Sequence, residues 1–365
     1  MIELIVNGTP FTDFISAEAT VALDTLSNDF RFTSSSVNGF PPIRKGDAVE
    51  VVVEEQLVLT GFIAEVGGQD QEGGHTVTYA GRDLTGDFVD SDINIIDDIR
   101  AGGGLTLKKI IERVLQHLGQ RLFVTDDAEP APFNAAEDII APEVGENAFD
   151  FVMKYAKKRQ VLLSSTPSGN IWITESSPED SGAVLQRLQG ANSNNILTQD
   201  WTLEDSRVFN KYISRGQLDP VALNVAGASS SSTVENQGGQ FIDDDVRAGR
   251  QKVTVESQSY SSEQLRDRAR WTSQLSKAEA TRFNCTARGH LNSVGDLWRV
   301  NTLVQINSDV ADISRKMILK SVTFSQAEKQ PTVSRLEFVD QNAYTAQTAL
   351  LNQKPVGDLN DAFIG

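Results

Sequence analysis

Tyr79–Asp90 reads YAGRDLTGDFVD, and how these residues are read decides what kind of chain surrounds them. Thr76, Thr78 and Ala80 alternate with Val77 and Tyr79, the period of two that a half-buried strand needs. Gly81 is expected to end that strand. Leu84 and Phe88 then form an i,i+4 apolar pair on a short helical turn, with Asp83 as its N-cap. Arg82 is placed to pair with Asp83 or Asp87. Taken alone, the string is a strand stop with a local ion pair. The rest of the chain decides whether it means more.

Upstream, the first 95 residues read as antiparallel β. Phe30 and Phe32 alternate with polar neighbours after Asn28-Asp29. Val49, Val51 and Val53 lead through a three-residue connection, Glu54-Glu55-Gln56, into Leu57, Leu59 and Gly61, which is a hairpin pattern. Gly67-Gly68 and Gly73-Gly74 bracket a further polar turn.

Downstream the character changes. Leu107, Ile110, Ile111, Val114, Leu115 and Leu118 have helical spacing, with Thr106 as N-cap and Gly119 as the stop. A short strand at Leu122–Val124 follows. Asn147 and Asp150 open a second helix with Phe151, Val152, Tyr155 and Ala156 on one face. Lys154, Lys157, Lys158 and Arg159 crowd its end, where cations complement the helix dipole. Val161–Ser164 and Ile171–Thr174 read as a hairpin through Pro167 and Gly169.

Strand-like alternation returns from Ile196 to Gln217. Residues 218–250, with Ser229–Ser232, Gly238-Gly239 and Asp243–Asp245, read as a long flexible loop. Ser261 and Gln264 form a capping box for a helix running to Thr281, whose apolar stripe of Leu265, Ala269, Thr272 and Leu275 is thin. A last β block spans Phe283–Asp340. The fold class expected is β-rich α+β. It has two small related antiparallel β-barrels separated by an α/β module, with a long helix and a flexible loop inserted in the second barrel. The boundaries are 1–95 for the first barrel and 96–195 for the α/β module. Residues 196–217 plus 283–345 form the second barrel, 218–282 the insertion and 346–365 a tail.

The two barrels read as a repeat. Phe30 and Phe32 answer to Phe283 and Cys285, and Lys45-Gly46-Asp47-Ala48 to Val294-Gly295-Asp296-Leu297. Leu57–Ile63 answers to Met317–Thr323 and Val77–Asp83 to Val333–Asp340. The common order of these matches carries more weight than any one of them.

Composition narrows the function. The chain has 365 residues, more than one core usually serves, so several domains are expected. Lys and Arg number 33 against 50 Asp and Glu, a net charge of −17, which argues against wrapping nucleic acid. No run approaches the roughly 20 apolar residues of a spanning helix. The start, MIELIVNGTPF, lacks the pattern of a signal peptide, so synthesis in a cytoplasm is expected. One cysteine, Cys285, leaves no disulfide framework and reads as a small core residue.

The search for chemistry returns little. Ala101-Gly102-Gly103-Gly104 precedes a helix but lacks the Lys-Ser/Thr of a nucleotide loop. His75, His117 and His290 are scattered, and no GxSxG elbow occurs. Asp97-Asp98 and Asp243-Asp244-Asp245 lack the spacing of a calcium loop and read as solvated acids. Trp172, Trp201 and Trp298 sit in strand contexts that favour burial. No catalytic residue, cofactor or metal is expected.

Three segments together carry a resemblance. The motif Ala80, Gly81, Arg82, Asp83, Thr85 and Asp87 within Ala80–Asp87, the run FVMKYAKKRQVLLSSTPSGNIWI at Phe151–Ile173, and GDLWRVNTLVQI at Gly295–Ile306 resemble the tail-protein family of Mu-like phages and prophages, the baseplate hub proteins. The likeness spreads over residues 20–340. It is similar in architecture to the hub of T-even contractile tails and the hub part of type VI secretion spikes. The resemblance implies a homotrimeric hub in the virion baseplate, assembled in the bacterial host cytoplasm. Such a hub sits between the sixfold tail tube and the threefold central spike, touches other baseplate proteins, and lets DNA pass without specific binding or stable membrane association. The motif is then a family marker and a structural joint. Two other readings stay open: a receptor- or carbohydrate-binding β protein, and a tail-associated cell-wall hydrolase.

Overall fold

Alternation organises most of the molecule. The computed structural model describes residues 1–11, 14–36, 43–71, 74–94, 104–133, 140–175, 178–216, 238–256, 262–341 and 343. The first strands are β1 (Ile2–Val6), β2 (Thr9–Phe11), β3 (Ser16–Ala22), β4 (Asp29–Ser36), β5 (Ala48–Val53), β6 (Gln56–Gln71) and β7 (Gly74–Asp83). Phe30, Phe32, Val49, Val51, Val53 and Tyr79 are all buried, each on the inward side of its strand. The Phe32 and Tyr79 rings stack at 4.8 Å between centroids.

Several local expectations give way here. Strand β7 runs through Gly81 and Arg82 to Asp83 rather than stopping at Gly81. Strand β6 passes through Gly67-Gly68, which lie in the ladder opposite Thr78 and Val77, not in a turn. The β5–β6 connection has two residues, Glu54 and Glu55, at φ of 46° and 64°. That is the geometry a tight hairpin takes to match strand twist, here without the usual glycine.

The middle of the chain forms a second core. Helix α1 (Gly86–Val89) leads to α2 (Leu107–Leu118), β8 (Val124–Asp126), α3 (Ala148–Arg159), β9 (Leu162–Ser165) and β10 (Ile171–Thr174). Thr106 caps α2, its hydroxyl accepting from Lys109 N, and Gly119 ends it at φ 70°. Asn147 caps α3 by accepting from Phe149 N and Asp150 N, leaving two donors fewer unpaired at the helix start. Strands β8, β10 and β9 make a small sheet under these helices. Ile110, Val114, Phe151, Val152, Ile171 and Ile173 bury there with Leu26 and Phe88. The short strand lies at Val124–Asp126 rather than Leu122–Val124.

The remaining strands are β11 (Glu179–Arg187), β12 (Ile196–Leu203), β13 (Lys211–Gly216), β14 (Gly238–Ile242), β15 (Gln251–Glu256), β16 (Thr281–Arg288), β17 (Thr302–Ser308), β18 (Ile313–Ala327) and β19 (Val333–Asp340), with helix α4 (Ser262–Ala280). One sheet runs β12-β16-β19-β18-β3-β4-β7-β6-β5-β1-β2, with β17 on β18 and β11 on β17. The link is antiparallel pairing of β18 with β3, Ser321 opposite Ala22 through Ala327 opposite Ser16. A single core, from Ile2 to Phe338, lies beneath both halves.

Two strands fall outside their expected blocks. Strand β11 joins the large sheet rather than the α/β module, and β13 leaves it for a separate sheet, β14-β13-β15. The stretch 218–250 is not all loop: residues 238–242 form β14 against β13. Asp243 is buried, not solvated, taking hydrogen bonds from Ser273 Oγ and Lys277 Nζ at 3.0 Å each. Asp244 and Asp245 are exposed. Of the tryptophans, Trp298 is buried, Trp172 half-buried and Trp201 exposed. Asp97-Asp98, Ala101–Gly103, Ser261 and 346–365 lie outside the described residues.

Cys285 sits in β16 against Leu336. Burial, with a smaller contribution from the Asp200 charge, pushes its thiol far above the ordinary range. An aromatic disulfide reagent is therefore expected to find no reactive thiol in the native protein and one per chain in denaturant. Rapid native labelling would contradict this packing.

Candidate functional site

Strands β6 and β7 cross closely where the motif begins. A Cβ on Gly81 would lie 2.0 Å from the Phe62 carbonyl oxygen and 2.5 Å from Phe30 Cζ. Only a glycine lets the two backbones and the Phe30 ring share that space. Ala80 is half-buried and faces away from the core. The close approach hands the chain on to Arg82 and Asp83, whose side chains point to opposite sides.

Arg82 turns outward. It pairs with Asp90, not with Asp83 or Asp87, Nη1 donating to Oδ1 at 3.2 Å with a second contact from Nη2 to Oδ2. Both side chains are substantially exposed, so this bridge contributes at most about 1 kcal/mol. Asp87 is exposed in the first turn of α1. The cap of α1 is Thr85, not Asp83.

Asp83 turns inward and is 3% exposed. Its Oδ2 accepts from Asn28 N at 2.9 Å and from the Ser165 hydroxyl. Its Oδ1 accepts from Thr85 N at 3.1 Å. Asn28 Nδ2 in turn donates to Ser165 Oγ at 2.7 Å, and Asn28 Oδ1 accepts from Ala22 N at 2.9 Å. The Thr85 hydroxyl lies 2.5 Å from Asp83 Oδ1 and 2.7 Å from the Leu26 carbonyl oxygen. One hydroxyl hydrogen cannot serve two acceptors, so a proton on Asp83 would complete the set. Burial pushes the Asp83 carboxyl up from its ordinary 3.8, while the Ser165 and Thr85 hydrogen bonds pull against it.

This carboxyl joins three pieces of chain: the end of β7, the loop between β3 and β4, and β9 of the α/β module. Asn28 and Ser165 lie 137 positions apart, so no spacing in the sequence could have paired them. Asn28 was visible only as a turn residue, and Ser165 only as the end of a hairpin strand. The arrangement ties three segments together through buried polar groups that satisfy one another. Among the described residues no three His, Cys, Asp or Glu side chains gather as metal ligands.

The sheet and its joint make a β-rich fold with a small second sheet packed beside the large one. Residues 1–83 match the family of the Mu phage baseplate assembly protein GpP-like, N-terminal domain. Over the whole chain, the resemblance is to Mu-like tail proteins. The baseplate hub protein gp44 of Escherichia phage Mu is 20% identical over 346 residues, covering 93% of this chain and 87% of gp44. The 43 kDa tail protein of prophage MuSo2 from Shewanella oneidensis superimposes with a TM-score of 0.79 at 22% identity, over 93% of this chain and 98% of that one. A tail protein from Neisseria meningitidis MC58 gives 0.76 at 19% identity, over 94% and 98%.

Proposed function

We propose that the chain is the structural hub of a contractile phage or prophage tail baseplate. Three copies form a ring that adapts the sixfold tail tube to the threefold central spike and leaves a channel for DNA. The observation that carries this reading is a repeated strand order. Strands β3-β4-β7-β6-β5 in the first half answer to β12-β16-β19-β18-β17 in the second, every neighbouring pair antiparallel. Phe30 lies opposite Gly81, and Gly81 opposite Ile63 just before a bulge. Phe283 lies opposite Phe338, and Phe338 opposite Leu319 just before a bulge. A shared bulge position is a stronger sign of duplication than shared alternation. The flanking strands depart from the repeat, since β1 on β5 is antiparallel and β11 on β17 parallel.

On this reading each half is a small barrel. The first comprises β1–β7 and the second β11, β12 and β16–β19, with the α/β module between them and β13–β15 plus α4 as the insertion. Ile63 then matches Leu319, so the correspondence of Leu57–Ile63 with Met317–Thr323 shifts by four residues. Two barrels in each of three chains present six similar faces, which is what a threefold-to-sixfold adaptor needs. The net charge of −17 suits a wall from which passing phosphates are repelled. The Asp83 joint serves as the fixed attachment of the α/β module to the first barrel. Light scattering is expected to give the mass of three chains, and negative-stain images a ring. A monomer at every concentration tested would sink the proposal.

A further inference from the structure

The two barrels are sewn together inside one chain in a way that leaves a second, similar seam open. Strand β19 covers one edge of β18 from Met317 to Ser325. The other edge is shared: β17 pairs as far as Ile318, and past the bulge at Lys320 strand β3 takes over from Ser321 to Ala327. Strand β6 repeats the first part of this plan. Strand β7 covers one edge through Gln71, and β5 covers the other as far as Phe62. Past the bulge at Ala64, no strand among the described residues pairs with that second edge from Glu65 to Gln71. At the end of the sheet β12 pairs with β16 alone, so it too has an edge with no strand on it among the described residues.

Apolar side chains mark both edges. Val66 lies opposite buried Tyr79, and Trp201 opposite buried Phe283, so both belong to inward faces. Yet Val66 is 43% exposed, Trp201 37% and Leu203 56%. Core-facing residues left uncovered along an unpaired edge are the signature of a strand awaiting a neighbour.

We infer that β12 of one copy pairs antiparallel with Glu65–Gln71 of β6 in the next copy, repeating between chains the seam that β3 and β18 make within one. The inference rests on the trimeric reading above and names its interface. The internal seam sets the register. Ala19 lies opposite Phe30, and Trp201 opposite Phe283, so Ala19 corresponds to Trp201. The aligned bulges make Ser321 correspond to Glu65. Transferring the pairing of β18 with β3 then puts Leu203 opposite Val66, Trp201 opposite Gly68, and Asp200 opposite Gln69.

Four features of that register were not built into it. The two most exposed apolar residues of these edges, Val66 and Leu203, meet each other. Glu18, Thr20 and Val21 of β3 are answered by Asp200, Thr202 and Leu203 of β12. The sizes also complement: Phe324 faces Ala19 in the internal seam, while Gly68 faces Trp201 in the proposed one. A polar contact has its counterpart too. Ser325 Oγ donates to Glu18 Oε1 at 3.0 Å, and the Gln69 amide takes that donor position toward Asp200. Each copy offers β12 on one side and β6 on the other, a head-to-tail contact that closes at three.

The test uses the full chain carrying V66C and L203C together. Directly opposed residues of an antiparallel pair have Cα atoms about 4.5–5.5 Å apart, within disulfide range. Mild oxidation is expected to give covalent trimers on a non-reducing gel, while each single variant stays uncross-linked. Separately, Leu203→Arg is expected to give a folded monomer, with the far-UV circular dichroism of the wild-type chain, where the wild type is a trimer. A wild-type trimer that neither cross-links in the double variant nor dissociates with Leu203→Arg overturns the seam and leaves the trimeric reading intact. Dimers from V66C alone would make the contact self-paired and overturn it as well. A monomeric wild-type chain removes both readings.

Discussion

Replacing Asp83 with alanine is expected to destabilise the protein by about 3–5 kcal/mol, because the carboxyl is the common acceptor of a buried set. Asn28 N, Thr85 N and the Ser165 hydroxyl would each lose their acceptor in a place water does not reach. Chemical denaturation at neutral pH measures the loss. The damage should spread, since Ser165 belongs to the small sheet β8-β10-β9 and Asn28 to the loop between β3 and β4 of the large one. Fluorescence of Trp172 in the module and of Trp298 in the large core should therefore report one transition in the wild-type chain and two in the variant. A change below about 1 kcal/mol would show that the joint is dispensable.

The same carboxyl gives a pH signature. Its folded pKa is raised above 3.8, so the native state holds the proton more tightly than the unfolded chain. The stability this confers is fully present below 3.8 and is lost as pH rises through the folded value. Asp83→Asn removes the titration. The unfolding free energy of the wild type minus that of this variant should therefore fall as pH rises from below 3.8 through the raised folded value, then level off. A difference that grows with pH would mean that the ionised form is the preferred one.

Gly81→Val is expected to be comparably severe, costing about 3 kcal/mol or more, because backbone cannot move aside as a side-chain tip can. The new Cβ would overlap the Phe62 carbonyl and the Phe30 ring together. A Cβ added at Gly61, one step away, would lie 2.0 Å from the Arg82 carbonyl oxygen, so the crossing has no slack from either strand. Gly67 provides the control within the same hairpin. An added Cβ there meets nothing closer than 4.0 Å, and Gly67→Ala should leave the melting temperature within a few degrees of wild type. Equal effects at Gly81 and Gly67 would contradict the crossing.

The legible parts of the fold were those set by local chemistry. Val49, Val51 and Val53 declare a strand by alternation, and Thr106 and Asn147 declare helix starts because capping is a matter of three or four neighbouring residues. Strand β6 was illegible past Gly67-Gly68, since glycine reads as a turn unless the facing strand, which here tolerates its bare backbone, is known. Asp243 read as one of three solvated acids, and what sets it apart is burial against Ser273, thirty positions away, since Lys277 reaches Asp245 as well, at 3.6 Å. Trp201 failed in the opposite sense. Its strand context implies burial, but the single chain supplies no strand to cover it. At the joint, the motif residues stood out while Asn28 and Ser165 did not, because side chains gathered by tertiary structure leave no period in a linear sequence.

The pairing of β3 with β18 has a consequence for how the chain is made. Glu18 and Ser325, which bond across it, are 307 positions apart. A ribosome adding roughly 5–20 residues per second needs on the order of tens of seconds to cover that distance. During that interval strands β1–β7 can fold with β3 as a bare border, able to accept any strand that drifts past. Closure thus waits until β18 has been translated. Truncation before Ile313 would strand every nascent chain in that adhesive state, so soluble yield should depend more steeply on slow elongation between β3 and β18 than on slow elongation before β3.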